Sequence, residues 1–466
     1  MAQRRLLLAI MALAAVAAAT GFEFHEATVD AIQLGFSNGS LTSTALVRFY
    51  LDQITRLNPL LHAVIEVNPD ALAQAARADD ERATGRRCGP LHGVPVLPQG
   101  QHPAHATGST PTAGSFALLG SVVPRDAGVA ARLQRRRRRY PRGSAVAAAA
   151  NMAAVTLGTE TDGSILCPAS LNSVVGIKPT VGLTSRAGVV PISPRQDSVG
   201  PICRTVSDAV HVLDAIVGYD ALDAEATGAA SKYIPNGGYG QFLRMDGFKG
   251  KRIGIPNGFF TQEIFEKKQL RAYQKHIQLM RKHGAMVIEN IDIAKNLTEV
   301  QNVLFSNEHI AMIAEFKLSL NAYLSDLLYS PVRSLADVIA FNKAHPVEER
   351  LKDFGQPYFI EAEKTNGIGP VEKASIQHLN KLSADGLEKL MRMHQLDAIV
   401  TPNDNGRVFF AVSGMPAITV PAGYDSQGVP FGTCFGGLKG YEPRLIEMAY
   451  AYEQATKVRM MPGFKM

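Results

Sequence analysis

The sequence has little of what marks metal-binding, disulfide-rich or repeat proteins. Its 466 residues include four cysteines, which are scattered without metal-ligand spacing and are too few for a disulfide framework in a chain of this length. They are Cys88, Cys167, Cys203 and Cys434. The twelve histidines show no ligand spacing, and we find no internal repeat and no coiled-coil register. No metal and no cofactor is therefore predicted.

The charge and apolar content are those of a globular protein. Apolar residues make up 46% of the chain and charged residues 19%, a balance that excludes a disordered chain. The five arginines of Arg135–Arg139 account for most of the net charge of +6, so the basic character is local. Such a run can bind nucleic acid or act as a nuclear address, it can form a solvated face, or it can be a scar of misreading in a Gly/Ala-rich coding stretch. The last interpretation is favoured, and no nucleic-acid partner is predicted.

The N-terminus has the anatomy of a cleavable secretory signal peptide. Met1–Thr20 carries two arginines near its start, followed by an apolar run that ends in small residues. This run is short for a membrane span, and it lacks the polar face of an amphipathic helix. We therefore expect residues 1–20 to be removed and the protein to be secreted or endomembrane, without stable membrane insertion. Asn38 and Asn296 each begin an Asn-X-Ser/Thr sequence and are predicted glycosylation acceptors.

The rest of the chain alternates helical periodicity with short apolar strands, a pattern typical of an α/β protein with a mixed sheet. Helices are predicted at Ala27–Gly35, Thr42–Arg56, Pro69–Ala83, Ala127–Leu133, Ala145–Ala154, Thr205–Val217, Gln262–Lys282, Glu299–Leu318, Ile376–His394 and Pro443–Ala455. Strands are predicted at His62–Val67, Gly93–Leu97, Val155–Leu157, Arg252–Ile255, Met286–Ile288, Asp397–Thr401, Pro416–Ala422 and Gly432–Gly437. Residues 219–250, rich in Gly and Ala, are predicted to form a surface excursion.

One block places a serine in a setting suited to nucleophilic catalysis. Gly158–Thr180 reads GTETDGSILCPASLNSVVGIKPT, in which Ser164 ends a short glycine-bearing turn after an alanine-rich segment. A turn of this kind can direct several backbone N–H groups at one point, where they stabilise a developing oxyanion beside the serine hydroxyl. The alternative is that Ser164 is an exposed loop serine. Asp162 beside it could act as an acid or base, but a role in capping the turn is favoured.

This block resembles the signature of the amidase signature family, as found in plant-type secreted amidases. The resemblance continues through Val181–Pro191 and Asp197–Asp208, and more loosely over nearly the whole chain. It implies an α/β fold in which helices flank both faces of a central mixed β-sheet. It also implies one domain over residues 21–466, with a signature core at about residues 143–218.

The resemblance further implies hydrolysis of an amide C–N bond through an acyl-serine intermediate. Ser164 matches the family nucleophile. The loop that forms the oxyanion hole is matched by Thr161, Asp162, Gly163 and Ser164. The expected partner is a small-molecule amide.

Two positions that the resemblance assigns to catalysis carry other residues. In the family a second serine, itself deprotonated by a buried lysine, activates the nucleophile. The lysine follows a Gly-Val-Pro-Val-Leu strand, and here Gln99 stands in its place, which cannot accept the proton. Tyr140 stands at the bridging-serine position, while Ser144 aligns with a serine of that loop that is not the proton relay. The chain as written is therefore expected to be an impaired or inactive hydrolase.

The altered stretches, residues 98–112 and 134–143, suggest a common origin. Pro98–His102 and Tyr140–Gly143 can be given codons that encode Leu-Lys-Asp-Asn and Ile-Leu-Gly, as the family expects, after the same one-base shift. Three hypotheses result. The chain is an impaired secreted amidase, a non-catalytic secreted glycoprotein that keeps the scaffold (a pseudoenzyme), or the product of a frame-disrupted gene model.

Overall fold

The computed structural model describes residues 21–87, 89–99, 112–135, 144–293 and 297–464. The predicted signal peptide, Tyr140, Asn296, Cys88 and much of the two altered stretches lie outside these residues. The strands are β1 Val96–Leu97, β2 Val155–Glu160, β3 Val175–Lys178, β4 Ser198–Cys203, β5 Arg252–Pro256, β6 Met286–Ile291, β7 Ala398–Pro402, β8 Ala417–Tyr424 and β9 Pro430–Gly436. No helix within these ranges is both long and apolar enough to cross a bilayer.

The helices of the described residues surround these strands. They are α1 Val29–Asn38, α2 Ser43–Leu61, α3 Ala71–Ala83, α4 Gly128–Arg135, α5 Ser144–Ala149, α6 Leu166–Leu171, α7 Val206–Ile216, α8 Ala224–Ala230, α9 Lys267–Lys282, α10 Leu297–Asp326, α11 Leu335–Ala344, α12 Leu351–Phe354, α13 Pro357–Glu363, α14 Pro370–Ser383, α15 Lys389–Met393, α16 Arg407–Val412 and α17 Glu442–Thr456. A π-helical turn, Ala384–Glu388, joins α14 to α15.

The nine strands form one mixed sheet in the order β1-β2-β4-β3-β8-β9-β7-β5-β6. Strand β1 pairs in parallel with β2, and β5 pairs in parallel with β6 and β7. The other neighbours are antiparallel. The signature block contributes β2, β3 and β4, which places it in one half of the sheet.

Alternate residues of the central strands belong to two different hydrophobic clusters, because successive side chains of a strand point to opposite faces of the sheet. Val400, Ile418 and Phe435 pack with residues of α7 and α17 on one face. Ile399, Ala417 and Cys434 pack with residues of α10, α14 and α16 on the other. Helices therefore flank both faces of a mixed sheet, which confirms the predicted fold class.

Two sequence predictions near the site need correction. His62–Val67, predicted as a strand, is irregular backbone. The side chain of Asn58 occupies both polar groups of the Val64 backbone, since its amide donates to Val64 O at 2.7 Å and its oxygen accepts from Val64 N–H at 2.8 Å. The predicted helix Ala145–Ala154 ends at Ala149, and Asn151 takes a left-handed φ of +56° before β2 begins.

The predicted surface excursion after α7 is anchored at a few points. Residues 219–250 contain α8 and several 3₁₀ turns, and Tyr239 and Phe248 within them are fully buried. Asp214 accepts the N–H groups of Tyr239 and Gly240 at 2.6 and 3.1 Å, which fixes this segment against α7. Most of the segment lies at the surface, as predicted, while Tyr239 and Phe248 anchor it in the core.

Candidate active site

Ser164 lies on the turn that joins β2 to α6, and its side chain is exposed. Gly163 before it has a φ of +84°, a left-handed conformation that glycine adopts without the steric cost of a Cβ atom. The turn therefore depends on glycine at this point. Within the part of the chain that the structure describes, the Ser164 hydroxyl has no hydrogen-bond partner.

The carboxylate of Glu160 holds the turn from the buried side. Its Oε2 accepts the N–H groups of Ile165 at 2.7 Å and of Leu166 at 2.9 Å, which are the free donors at the start of α6. Burial raises the pKa of Glu160, while the charge of Lys178 and these N–H groups, with that of Gly163, oppose the rise. Glu160 thus fixes the backbone that carries Ser164, a role that the sequence analysis did not assign.

Thr161 is anchored to the loop before β4. Its hydroxyl donates to Asp197 Oδ1 at 2.5 Å, and Oδ2 of the same carboxylate accepts the N–H groups of Ile192 and Ser193 at 2.8 and 2.9 Å. Burial raises the pKa of Asp197 to about 6 in spite of these three hydrogen bonds. Thr161 belongs to the predicted oxyanion loop, and the Asp197 carboxylate holds this loop at Thr161.

Asp162 lies against Arg407, at the start of α16. The two side chains approach to 3.5 Å between Arg407 Nε and Asp162 Oδ1, and Arg407 Nη1 is 3.3 Å from Asp404 Oδ2. Burial and the neighbouring Glu308 raise the pKa of Asp162, and the positive charge of Arg407 opposes this. A Cβ atom at Gly163 would lie 2.3 Å from Arg407 Cδ, so the arginine covers the back of the turn. Nothing in the sequence pattern around Arg407 indicated this contact.

Ser164 opens into a cavity of about 410 Å³ that it shares with two other residues singled out from the sequence, Gln99 and Ser144. Leu61, His62, Ala63, Ile65, Ala113, Gly114, Ala145, Val146, Pro168 and Ile202 complete its described lining. The volume is in the range of small-molecule sites, and the lining is mostly apolar with a few polar groups. Tyr140, the other position discussed above, lies outside the described residues.

Gln99 and Ser144 both form hydrogen bonds with residues of β2. Gln99 Oε1 accepts from the N–H and the hydroxyl of Thr159 at 2.7 and 3.0 Å. The Ser144 hydroxyl donates to Leu157 O, and Ser144 O accepts from the Thr156 hydroxyl at 3.2 Å. These groups hold the cavity wall, and neither is a base that could take the proton from Ser164.

Lys178, the nearest lysine after Ser164 in sequence, does not line this cavity. Its side chain is fully buried and donates to Met415 O at 2.8 Å and Pro179 O at 3.3 Å. Burial lowers the pKa of Lys178 to about 8, against the charges of Glu160 and Glu442. This geometry indicates a structural role for Lys178.

Asn38, one of the predicted glycosylation acceptors, is exposed at the C-terminal end of α1. Its side-chain oxygen accepts from Ser40 N–H at 3.0 Å, and Gly39 between them has a left-handed φ of +77°. The amide of Asn38 is accessible at this turn, as an acceptor requires. Asn296 lies outside the described residues.

Comparison with known proteins gives consistent matches. The family model described as Amidase matches residues 45–136 and 142–407. A probable amidase of Arabidopsis thaliana is 51% identical over 486 aligned positions, covering 95% of this chain and 92% of the relative. A putative amidase of Schizosaccharomyces pombe is 31% identical, covering 94% and 87%. Among solved structures, a peptide amidase from Stenotrophomonas maltophilia superposes with a TM-score of 0.87 at 36% identity, covering 96% of this chain and all of that one.

Proposed function

The chain belongs to the amidase signature family, and on this premise we propose that it hydrolyses small-molecule amides through an acyl-Ser164 intermediate, with impaired turnover as written. The Ser164 oxygen attacks the amide carbon, the C–N bond breaks, and the nitrogen leaves as ammonia or an amine after taking up the serine proton. Water then attacks the ester, which releases the carboxylic acid and restores the hydroxyl. The backbone of the Thr161–Ser164 turn is the proposed oxyanion site.

The observation that carries this proposal is the placement of Ser164. It is exposed on a turn that a buried carboxylate fixes from behind, and it opens into the same cavity as Gln99. A nucleophile needs access to substrate and a rigid backbone beside it, and this turn provides both.

The impairment follows from Gln99. A glutamine amide cannot accept a proton at any accessible pH, and Gln99 Oε1 already accepts from Thr159. With the base absent, the oxyanion site and substrate binding leave only a small residual rate. Gln99→Lys alone is not expected to restore turnover, because Tyr140 stands at the bridging-serine position.

A fluorophosphonate probe and simple amide substrates test the proposal, with Ser164→Ala as the control. Slow labelling and slow ammonia release that both disappear in the control support it. Equal signals, or none, in both proteins contradict an acyl-Ser164 route and favour the pseudoenzyme alternative. Full recovery of turnover in Gln99→Lys would show that the assignment of Tyr140 is wrong.

A frame-disrupted gene model is the second candidate explanation, and one observation favours it. The family match is interrupted between residues 136 and 142, within an altered stretch, and the alignment to the Arabidopsis relative has 486 positions, more than the 466 residues of this chain. The relative thus has additional residues. Transcript sequencing tests this hypothesis. It is rejected if a one-base shift of the actual codons does not give the expected motifs in the two stretches.

The predicted signal peptide motivates a further part of the proposal, that the protein is secreted and glycosylated. Expression of the full chain in a eukaryotic secretory host tests this. We expect an N-terminus near residue 21 and a loss of mass on glycosidase treatment. Retention of residues 1–20 in a cytosolic product would contradict it.

A further inference from the structure

One wall of the Ser164 cavity is a loop that the cleavage chemistry does not require. The segment Leu61–Ile65, here called the wall loop, follows α2, and four of its five residues line the cavity. Apolar residues of α5, α6 and β4 continue this surface. They are Ala145, Val146, Pro168 and Ile202.

The wall loop has a fixed conformation. His62 caps α2 in a left-handed conformation with a φ of +48°, and its N–H donates to Asn58 O at 2.8 Å. The Asn58 side chain bonds to both backbone groups of Val64, as described above, and the Val64 side chain is buried. Asn58 therefore holds the loop so that Leu61, Ala63 and Ile65 face the cavity in one arrangement.

The exposed apolar surface of this wall suggests what it contacts. Ile65 is 61% exposed and Val146 is 36% exposed, yet both line the cavity that Ser164 opens into. Exposed apolar surface grouped at a concave site is characteristic of a ligand-binding surface. Among the described lining residues, His62 is the one titratable side chain, so this described part of the lining offers no carboxylate or ammonium group to a charged ligand.

We propose that the wall loop, held by Asn58, is the acyl-binding surface, and that it selects amides with uncharged apolar acyl groups over amides whose acyl group carries a carboxylate or an ammonium. The inference rests on the proposed function, because it assigns the acyl side of that site. A charged acyl group would lose hydration against Ile65 and Val146 without gaining a charged partner from the described lining. An apolar chain gains about fourfold in affinity for each methylene that it buries.

The experiment measures binding to Ser164→Ala, so that turnover is not needed. Ligand-observed NMR titrations compare acetamide, butanamide and hexanamide with succinamate and 6-aminohexanamide. We expect affinity to rise about fourfold per methylene along the neutral series, and the two charged amides to bind at least tenfold more weakly than hexanamide.

Ile65 and Leu34 provide a matched pair of variants. Both are exposed apolar residues, at 61% and 64%, but Leu34 lies on α1 and does not line the cavity. In the Ser164→Ala background, Ile65→Asp should weaken hexanamide at least tenfold and tighten 6-aminohexanamide, while Leu34→Asp should change neither. Asn58→Ala should weaken hexanamide severalfold, and its circular dichroism spectrum checks that α2 is intact.

The outcomes separate this inference from the proposed function. Any one of three results would overturn the inference. They are equal affinity for hexanamide and succinamate, a loss of succinamate binding in His62→Ala, and equal effects of Ile65→Asp and Leu34→Asp. If the binding pattern appears but wild-type protein neither labels nor turns over, the acyl surface stands and the catalytic proposal fails. If turnover occurs without a preference for chain length, the catalytic proposal stands and the acyl surface is rejected.

Discussion

The close approach of the Arg407 side chain to Gly163 leads to a quantitative prediction for Gly163→Ala. Gly163 has a φ of +84°, and an added Cβ would lie 2.3 Å from Arg407 Cδ. The left-handed backbone costs an alanine about 1–2 kcal/mol. Displacing the packed arginine stem costs about 1–3 kcal/mol more, as overpacking does elsewhere. We therefore expect a loss of about 2–5 kcal/mol in the free energy of unfolding.

Gly39→Ala separates the two costs. Gly39 ends α1 with a φ of +77°, and an added Cβ there would have no atom within 4 Å. It should therefore lose only the backbone part, about 1–2 kcal/mol. Because the chain has no tryptophan, urea unfolding is followed by circular dichroism. The fluorophosphonate labelling rate of Ser164 should fall in Gly163→Ala and remain unchanged in Gly39→Ala.

The double variant Gly163→Ala/Arg407→Ala completes the test. Removing the arginine stem opens the space that the new methyl group needs, so the second substitution should cost less in the Gly163→Ala background than in the wild type. A coupling energy of about 1 kcal/mol or more is expected for residues in direct contact. Additive effects, or equal losses in Gly163→Ala and Gly39→Ala, would refute the argument that Arg407 packs against the turn.

Three further predictions concern Glu160 and Asp197 beside this turn and Asn38 at the end of α1. Glu160→Ala leaves the N–H groups of Ile165 and Leu166 buried without an acceptor, which costs about 1–3 kcal/mol for each group. Glu160→Gln should recover at least half of this loss in the free energy of unfolding, measured in urea. Equal losses in the two variants would contradict the capping role. The pKa of Asp197, raised by burial to about 6, lies above its unfolded value, so the folded protein binds the proton more tightly and loses stability as pH rises from about 4 to about 6. Asp197→Asn should lack this pH dependence, which amounts to about 1.4 kcal/mol in the free energy of unfolding per pH unit. Parallel curves of stability against pH for the two proteins would contradict the prediction. Asn38→Gln should remove one glycan mass from secreted protein, and an unchanged mass would show that Asn38 is not modified.

The sequence predicts most of the strand–turn–helix framework because its local signals agree with the tertiary structure. Thr42, at which a predicted helix begins, accepts from Ala45 N–H at 3.0 Å at the start of α2. Asp197, at which the second stretch of the resemblance begins, accepts two N–H groups of the loop before β4. Such interactions span a few residues, and their residue types carry the information directly.

The parts that the sequence did not predict depend on contacts between distant residues. The alternating pattern of His62–Val67 is that of a strand, but a strand needs a neighbour, and Asn58 satisfies the Val64 backbone instead. Strand β4 was missed because Pro201 and Gly200 weaken its pattern, although both pair with β2. Arg407 lies 243 positions after Ser164, and only the fold shows that it covers the turn.

Under the proposed function, Gln99 is a residue that supports the scaffold without supplying a base. The N–H and hydroxyl of Thr159 both need an acceptor at the cavity wall, and Gln99 Oε1 provides one at 2.7 and 3.0 Å. A lysine at this position has donors only, so it could donate to the Thr159 hydroxyl oxygen but could not accept from the Thr159 N–H. The glutamine therefore stabilises β2 through Thr159, and under the proposed function it does so without acting as a proton acceptor. Thr159 lies next to Glu160 at the end of β2 that leads into the Ser164 turn, so a change in this wall contact would also disturb the turn.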